Sequence, residues 1–325
     1  MRGIHRVVIQ NKRIRYDFEI RRNLTIIRGD SATGKTTMID MVQEYINNGT
    51  NSSIELFCDK RCFVLEGVTW KGQLSEINDS IVFIDEGNTF VFTDEFAAII
   101  QQTDNYYVIV SREGLPNLPY SVTEIYGIRL GGRYGGLKQN YNEFYRIYGE
   151  TILDQEIYPD AIITEDSNSG YQFFKSICEK SKIVCLTSGG KSGLLLTSRK
   201  LDSEERVLLI ADGAAFGPEM DRVMKYLANH KNIYLYVPES FEWLVLSSGV
   251  LKDSDVQGIL SSTSDYVESR DYFSWERYFT NLLTVKTQGS FLQYSKRVLN
   301  PAYLTGQVRE SILSVMQKIK FCEQG

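Results

Sequence analysis

Short apolar runs bounded by polar turns alternate with helical spacings along most of the chain. Residues 7–10 and 14–20 read as two strands around a polar turn at 11–13, the second alternating with period two. A buried β-branched strand follows at 23–27. Apolar residues at 38, 39, 42, 45 and 46 then predict a helix over 37–46, stopped by Asn47, Asn48 and Gly49. Further strands are expected at 53–57 and 62–65, as a small β insertion, and at 80–84, 106–110 and 125–130. A helix over 92–101 with Thr93 at its cap lies among them. The second half repeats the alternation. Strands are expected at 161–164, 182–186, 206–211 and 232–237, with helices at 170–177 and 218–229 and another beginning near 238. That rhythm implies an α/β unit with a parallel sheet. From 265 to 323 the spacing is helical, marked by Tyr272, Trp275, Tyr278, Phe279, Val308, Ile312, Leu313 and Val315.

Between the strand at 23–27 and the helix after it lies the most specific chemistry in the chain. Gly29, Asp30, Ser31, Ala32, Thr33, Gly34, Lys35 and Thr36 fit G-x-x-x-x-G-K-[ST], and Thr37 follows. Two glycines let the backbone fold so that its N–H groups face phosphate oxygens. The helix N-terminus adds partial positive charge beneath them. Lys35 is expected to reach the β- and γ-phosphates, and the Thr36 hydroxyl to ligate Mg²⁺. Downstream, the apolar run 81–84 ends in Asp85 and Glu86. Asp85 is expected in the Mg²⁺ shell, and Glu86 is placed to orient or deprotonate an attacking water. Ser111 and Arg112 end the strand at 106–110 and are candidate γ-phosphate sensors, a plain strand-end turn being the equal alternative.

Residues 131–141 are rich in Gly, Tyr and positive charge. They read first as a linker and second as a base-stacking segment, with a domain boundary near 150. Gly189, Gly190, Lys191 and Ser192 form no second phosphate loop, because the first glycine would fall at Cys185.

With 325 residues the chain can hold two cores. A net charge of −5 argues against a generally basic nucleic-acid binder. No apolar run is long enough to span a bilayer, and no secretory leader is expected at the N-terminus. Five cysteines without framework spacing, and only two histidines, argue for buried free thiols in a cytoplasmic protein and against zinc.

The order of motifs over residues 4–130 resembles the P-loop ATPases with an additional catalytic glutamate. No Leu-Ser-Gly-Gly-Gln-like segment, long heptad run or Asn-Lys-x-Asp motif follows the loop, which disfavours ABC-type and SMC-type proteins and favours ATP over GTP. Residues 158–245 resemble a Toprim domain of the kind found in overcoming-lysogenization-defect nucleases. Glu165, the Gly-rich turn at 189–193, Asp212 and Gly217 fall on that family's pattern, but its second Asp is Ala214 here. The resemblance implies that Glu165 and Asp212 hold a metal, with Asp166, Glu219, Glu239 or Glu242 to replace the missing acid. Otherwise the two acids are only the polar ends of buried strands. The organisation expected is α/β: a P-loop NTPase domain over 1–150, a Rossmann-like, Toprim-like domain over 151–260 and a helical tail over 261–325. The resemblance implies ATP and Mg²⁺ as cofactors and DNA or RNA, a partner protein or a second copy of the chain as partners. It implies ATP-gated nucleic-acid processing in phage defence or a mobile element. The alternative is a nucleotide-dependent switch whose second domain binds a partner without cutting.

Overall fold

The computed structural model describes residues 1–29, 33–131, 140–149, 153 and 155–321. The chain is of the α/β class and divides into two compact units, Met1–Tyr148 with Ser262–Phe273, and Gly149–Ser261 with Ser274–Gly325. Residues 261–325, expected as one tail, are thus shared between them. In the first unit, the Ser269 carbonyl accepts from Asn23 Nδ2 at 3.0 Å and the Ser264 carbonyl accepts the Gly3 N–H at 2.7 Å.

The first unit is built on a nine-stranded mixed sheet. Its strands are β1 (His5–Gln10), β2 (Ile14–Ile20), β3 (Leu24–Arg28), β4 (Glu55–Phe57), β5 (Arg61–Val64), β6 (Ser80–Ile84), β7 (Tyr106–Val110), β8 (Ile125–Leu130) and β9 (Asn140–Arg146). They lie in the order β4-β1-β2-β9-β8-β3-β7-β6-β5. The strands expected as a small insertion are instead the two opposite edges of this sheet: β4 pairs with β1, and β5 with β6. Only Cys58, Asp59 and Lys60 join these edges, so the sheet must curl to bring them together. The helix α1 (Lys35–Asn48) packs against β1, β4 and β5. Met38, Met41 and Val42 enter a core with Ile9, Tyr16, Ile27, Phe83 and Val108. Ile46, expected on that face, is exposed: the buried positions of α1 end at Val42, one turn before it.

From β8 to β5 the neighbouring strands are parallel. Their alternation-free, wholly buried sequences at β3, β6 and β7 are what a sheet covered on both faces requires. The carboxyl ends of β3, β6 and β7 consequently open at one edge, where ligands of α/β sheets bind. The strand β9 departs from the expected linker. It runs antiparallel to β8 and parallel to β2, while residues 132–139, the middle of that linker, lie outside the described residues. The boundary placed near residue 150 also falls outside them. The helix α2 (Trp70–Ser75) was not expected, and α3 (Asp94–Ile100) is capped by Thr93, whose hydroxyl accepts the Phe96 N–H.

The second unit carries a four-stranded parallel sheet, order β11-β10-β12-β13, from β10 (Ala161–Thr164), β11 (Val184–Thr187), β12 (Val207–Ile210) and β13 (Ile233–Tyr236). Its main helices are α4 (Ser169–Ser181), α5 (Leu194–Ser198), α6 (Met220–Asn229), α7 (Phe241–Ser247), α8 (Ser254–Ser261), α9 (Trp275–Thr287) and α10 (Gly306–Val315). The helix α7 packs against α8, α9 and α10. Gly213 marks a close approach after β12: its N–H donates to the Pro238 carbonyl at 2.6 Å, and a Cβ there would lie 2.5 Å from the Val237 oxygen. Cys58, Cys62, Cys178 and Cys185 are free thiols, of which only Cys178 is fully buried, and Cys322 lies outside the described residues. Among the described residues no helix is long and apolar enough to cross a membrane.

Candidate functional site

The loop after β3 is shaped by its glycines and by a buried tyrosine. Gly34 has φ +87°, and a Cβ there would lie 2.8 Å from Tyr16 Oη. That phenol, fully buried on β2, donates to the Gly34 carbonyl at 2.7 Å. Burial pushes the Tyr16 phenol up to about 12, so it remains a donor throughout the physiological range. Sequence reasoning missed Tyr16 as a buttress, although the period-two alternation of β2 already put it on the inward face.

The α1 helix begins with no side-chain cap, leaving its first N–H groups directed into the loop. Lys35 is buried and folds back on the loop, donating from Nζ to the Gly29 carbonyl at 2.8 Å and to Thr33 Oγ1 at 2.9 Å. Thr36 and Thr37 are exposed. Asp30, Ser31 and Ala32, the middle of the motif, lie outside the described residues.

One cleft is lined by Thr33, Gly34, Lys35, Thr36, Thr37, Glu86 and Arg112. The acid after β6 and the arginine after β7 are therefore brought to the loop after β3 from two neighbouring strand ends. They grip each other there: Arg112 Nε donates to Glu86 Oε2 at 2.9 Å and Nη2 to Oε1 at 2.6 Å. Asp85 does not line this cleft, but its Oδ1 is buried and has no hydrogen-bond partner. Its carbonyl caps the turn by accepting from the Asn88 backbone N–H at 3.2 Å and Nδ2 at 3.1 Å. Ser111, expected as a sensor, turns away. Its hydroxyl donates to the Glu113 carbonyl at 2.8 Å, closing the local turn, and the residue is buried outside the cleft.

In the second unit Glu165 and Asp212 do meet at the strand ends. The Asp212 N–H donates to Glu165 Oε2 at 3.3 Å, and both residues line a pocket with Glu242 and Lys296. Burial pushes the Glu165 carboxyl up to about 7, against the opposing pull of Lys191 and the Asp212 N–H. Asp212 is pushed well above the carboxylate range by burial and then by Glu276, Glu242 and Glu165, with Lys296 opposing. Burial alone would lower the Lys296 ammonium, but Glu276, Glu242 and Asp212 outweigh it and hold it above the usual lysine range.

Of the candidates to replace the acid lost at Ala214, Asp166 is turned onto Asn168, whose backbone N–H and Nδ2 both donate to it. Glu219 is paired with Arg222 at 2.5 Å. Glu242 is buried and accepts from Tyr294 Oη at 2.7 Å. Glu239 does not line the pocket. Among the described residues no group of three or more His, Cys, Asp or Glu side chains is arranged to hold a metal ion. Sequence reasoning missed Glu276, Tyr294 and Lys296, which arrive from a segment with no spacing relation to the strand ends. In comparison with known proteins, the chain matches no family model and no curated protein.

Proposed function

We propose that the first unit binds ATP with Mg²⁺ and hydrolyses it. The observation that carries this reading is the single cleft in which loop residues 33–37 face Glu86 and Arg112, donors for a triphosphate opposite a carboxylate for water. The α1 N-terminus and Lys35 would take the β- and γ-phosphates, Lys35 exchanging its present carbonyl and hydroxyl acceptors for phosphate oxygens. Asp85 and Thr36 would hold Mg²⁺, which would offset the negative charge of the phosphates. The buried, unpartnered Asp85 Oδ1 suits that role, since such an atom is costly unless a ligand satisfies it. Only two protein ligands are needed, because Mg²⁺ keeps waters and takes the remainder from phosphates. Glu86 would orient or deprotonate the attacking water once Arg112 has left it for the γ-phosphate.

This is the reading of a P-loop ATPase with an additional catalytic glutamate, acting in the cytoplasm. Two roles are open to the second unit: ATP-gated cutting of DNA or RNA in phage defence, or the partner-binding part of a nucleotide-dependent switch. Ala214 in place of the second acid favours the switch. ATP turnover by wild type and Lys35→Ala tests the first unit, equal turnover removing the claim. Incubation with plasmid, single-stranded DNA and RNA in Mg²⁺ or Mn²⁺ tests the second. Cleavage lost in Asp212→Ala restores the nuclease.

A further inference from the structure

We propose that the acidic pocket of the second unit takes no divalent cation, because Lys296 is its built-in counter-ion. Three acids line it, Glu165 and Asp212 after the strand ends and Glu242 on α7, and Glu276 on α9 joins them through its bond to Lys296. Among the residues that line the pocket the ammonium is Lys296 Nζ, which donates to Glu276 Oε1 at 2.6 Å, whereas Lys191 Nζ is turned to the Ala215 carbonyl at 2.7 Å. Both partners of the Lys296–Glu276 pair are partly withdrawn from water, with side-chain exposures of 33% and 24%. A charge so placed is costly unless the surroundings compensate it, and here the carboxylates do.

The lysine is fixed by its backbone. The Lys296 carbonyl accepts the Ser169 N–H at 2.9 Å, and the neighbouring Arg297 carbonyl accepts from Gln172 Nε2 at 2.8 Å. Leu299 N–H completes the strap by donating to Gln172 Oε1 at 3.0 Å. Residues 296–299 are thus laced to the first turn of α4, beside the pocket mouth.

The remaining acids are engaged in ways that compete with metal ligation. Glu165 accepts the Asp212 N–H, and Glu242 accepts the Tyr294 hydroxyl, itself held by Ser169 at 2.6 Å. With no bound phosphate to share the coordination, a divalent ion here would depend on carboxylate oxygens free to converge at about 2.0–2.6 Å, and Ala214 stands where the resemblance expects one of those carboxylates. The ammonium satisfies the same need with one charge and a fixed position. This conclusion rests on the second unit alone and is independent of whether the first binds ATP.

The experiment is a Mn²⁺ titration of the nucleotide-free full chain, followed by electron paramagnetic resonance, with melting measured in parallel. Wild type and Asp212→Asn are expected to bind Mn²⁺ identically, with no stoichiometric site. Lys296→Met is expected to melt below wild type, and Lys296→Arg, which keeps the charge, to recover most of the difference. One equivalent of Mn²⁺ bound by wild type and lost in Asp212→Asn would overturn the proposal. So would Lys296→Met melting with wild type, or Lys296→Arg melting with Lys296→Met. The wild-type and Asp212→Asn comparison decides the matter even if the lysine variants fail to fold.

Discussion

Replacing Glu86 with Gln should tighten the binding of a non-hydrolysable ATP analogue while abolishing turnover. In the resting cleft Arg112 is held by two hydrogen bonds to the Glu86 carboxylate, at 2.9 and 2.6 Å. It can turn to a γ-phosphate only after releasing them. The arginine side chain is 58% and the glutamate 29% exposed, so water reaches the pair and its worth sits within the range of surface pairs. The two-pronged geometry puts it near the top of that range, about 0.5–1 kcal/mol. Removing the competition should therefore tighten the analogue about twofold to fivefold. Isothermal titration in Mg²⁺ measures it, with ADP as the ligand that lacks the γ-phosphate. Removing a negative charge from the cleft also favours phosphates, so the decisive comparison is the double-mutant cycle with Arg112→Ala. If release of Arg112 is the cause, Glu86→Gln gains clearly less in the Arg112→Ala background than in wild type. An equal gain in both backgrounds, or no gain in either, would refute the reasoning.

Three further outcomes follow from the geometry. Gly34→Ala meets both a left-handed φ of +87° and the Tyr16 hydroxyl, so nucleotide binding should be lost, while the buried core of the unit still melts cooperatively by circular dichroism. Tyr16→Phe removes the 2.7 Å bond to the Gly34 carbonyl and should cost about 0.5–1.5 kcal/mol in urea unfolding, with weaker nucleotide binding. Glu165 is pushed from 4.5 to about 7 in the folded chain, so the native state holds more protons between those values. Stability from this group is full below pH 4.5 and is lost as pH rises towards 7. The loss is on the order of 3 kcal/mol. Glu165→Gln should flatten that part of the stability–pH curve, and an unchanged slope would show that Glu165 does not titrate there.

Much of this was legible along the chain because the parallel strands are buried on both faces and therefore read as continuous apolar runs. The runs at 23–27, 80–84 and 106–110 correspond to β3, β6 and β7, whose ends carry the glycine-containing loop before α1, Asp85 with Glu86, and Arg112. What was not legible depends on long-range pairing. The strand β9 has mixed burial and begins in a Gly- and Tyr-rich stretch, so composition favoured a linker over a strand. The edge positions of β4 and β5 follow from sheet curl, which no local spacing encodes. Ser111 and Arg112 are neighbours in sequence, yet one closes its own turn and the other enters the cleft. In the second unit Glu165 and Asp212 are recognisable as strand-end acids, whereas Lys296 reaches them from a strap held to α4 by the Ser169 N–H and the Gln172 side chain.

The central claim is that the cleft lined by residues 33–37, Glu86 and Arg112 takes a triphosphate with magnesium. Equilibrium binding of ATP to the full chain, with Mg²⁺ and for wild type beside Lys35→Ala, tests it most directly. One equivalent should bind to wild type, and removing the lysine's charge-assisted contacts, about 1.5–3 kcal/mol, should weaken it roughly tenfold or more. No binding to wild type, or equal binding to both proteins, would contradict the account.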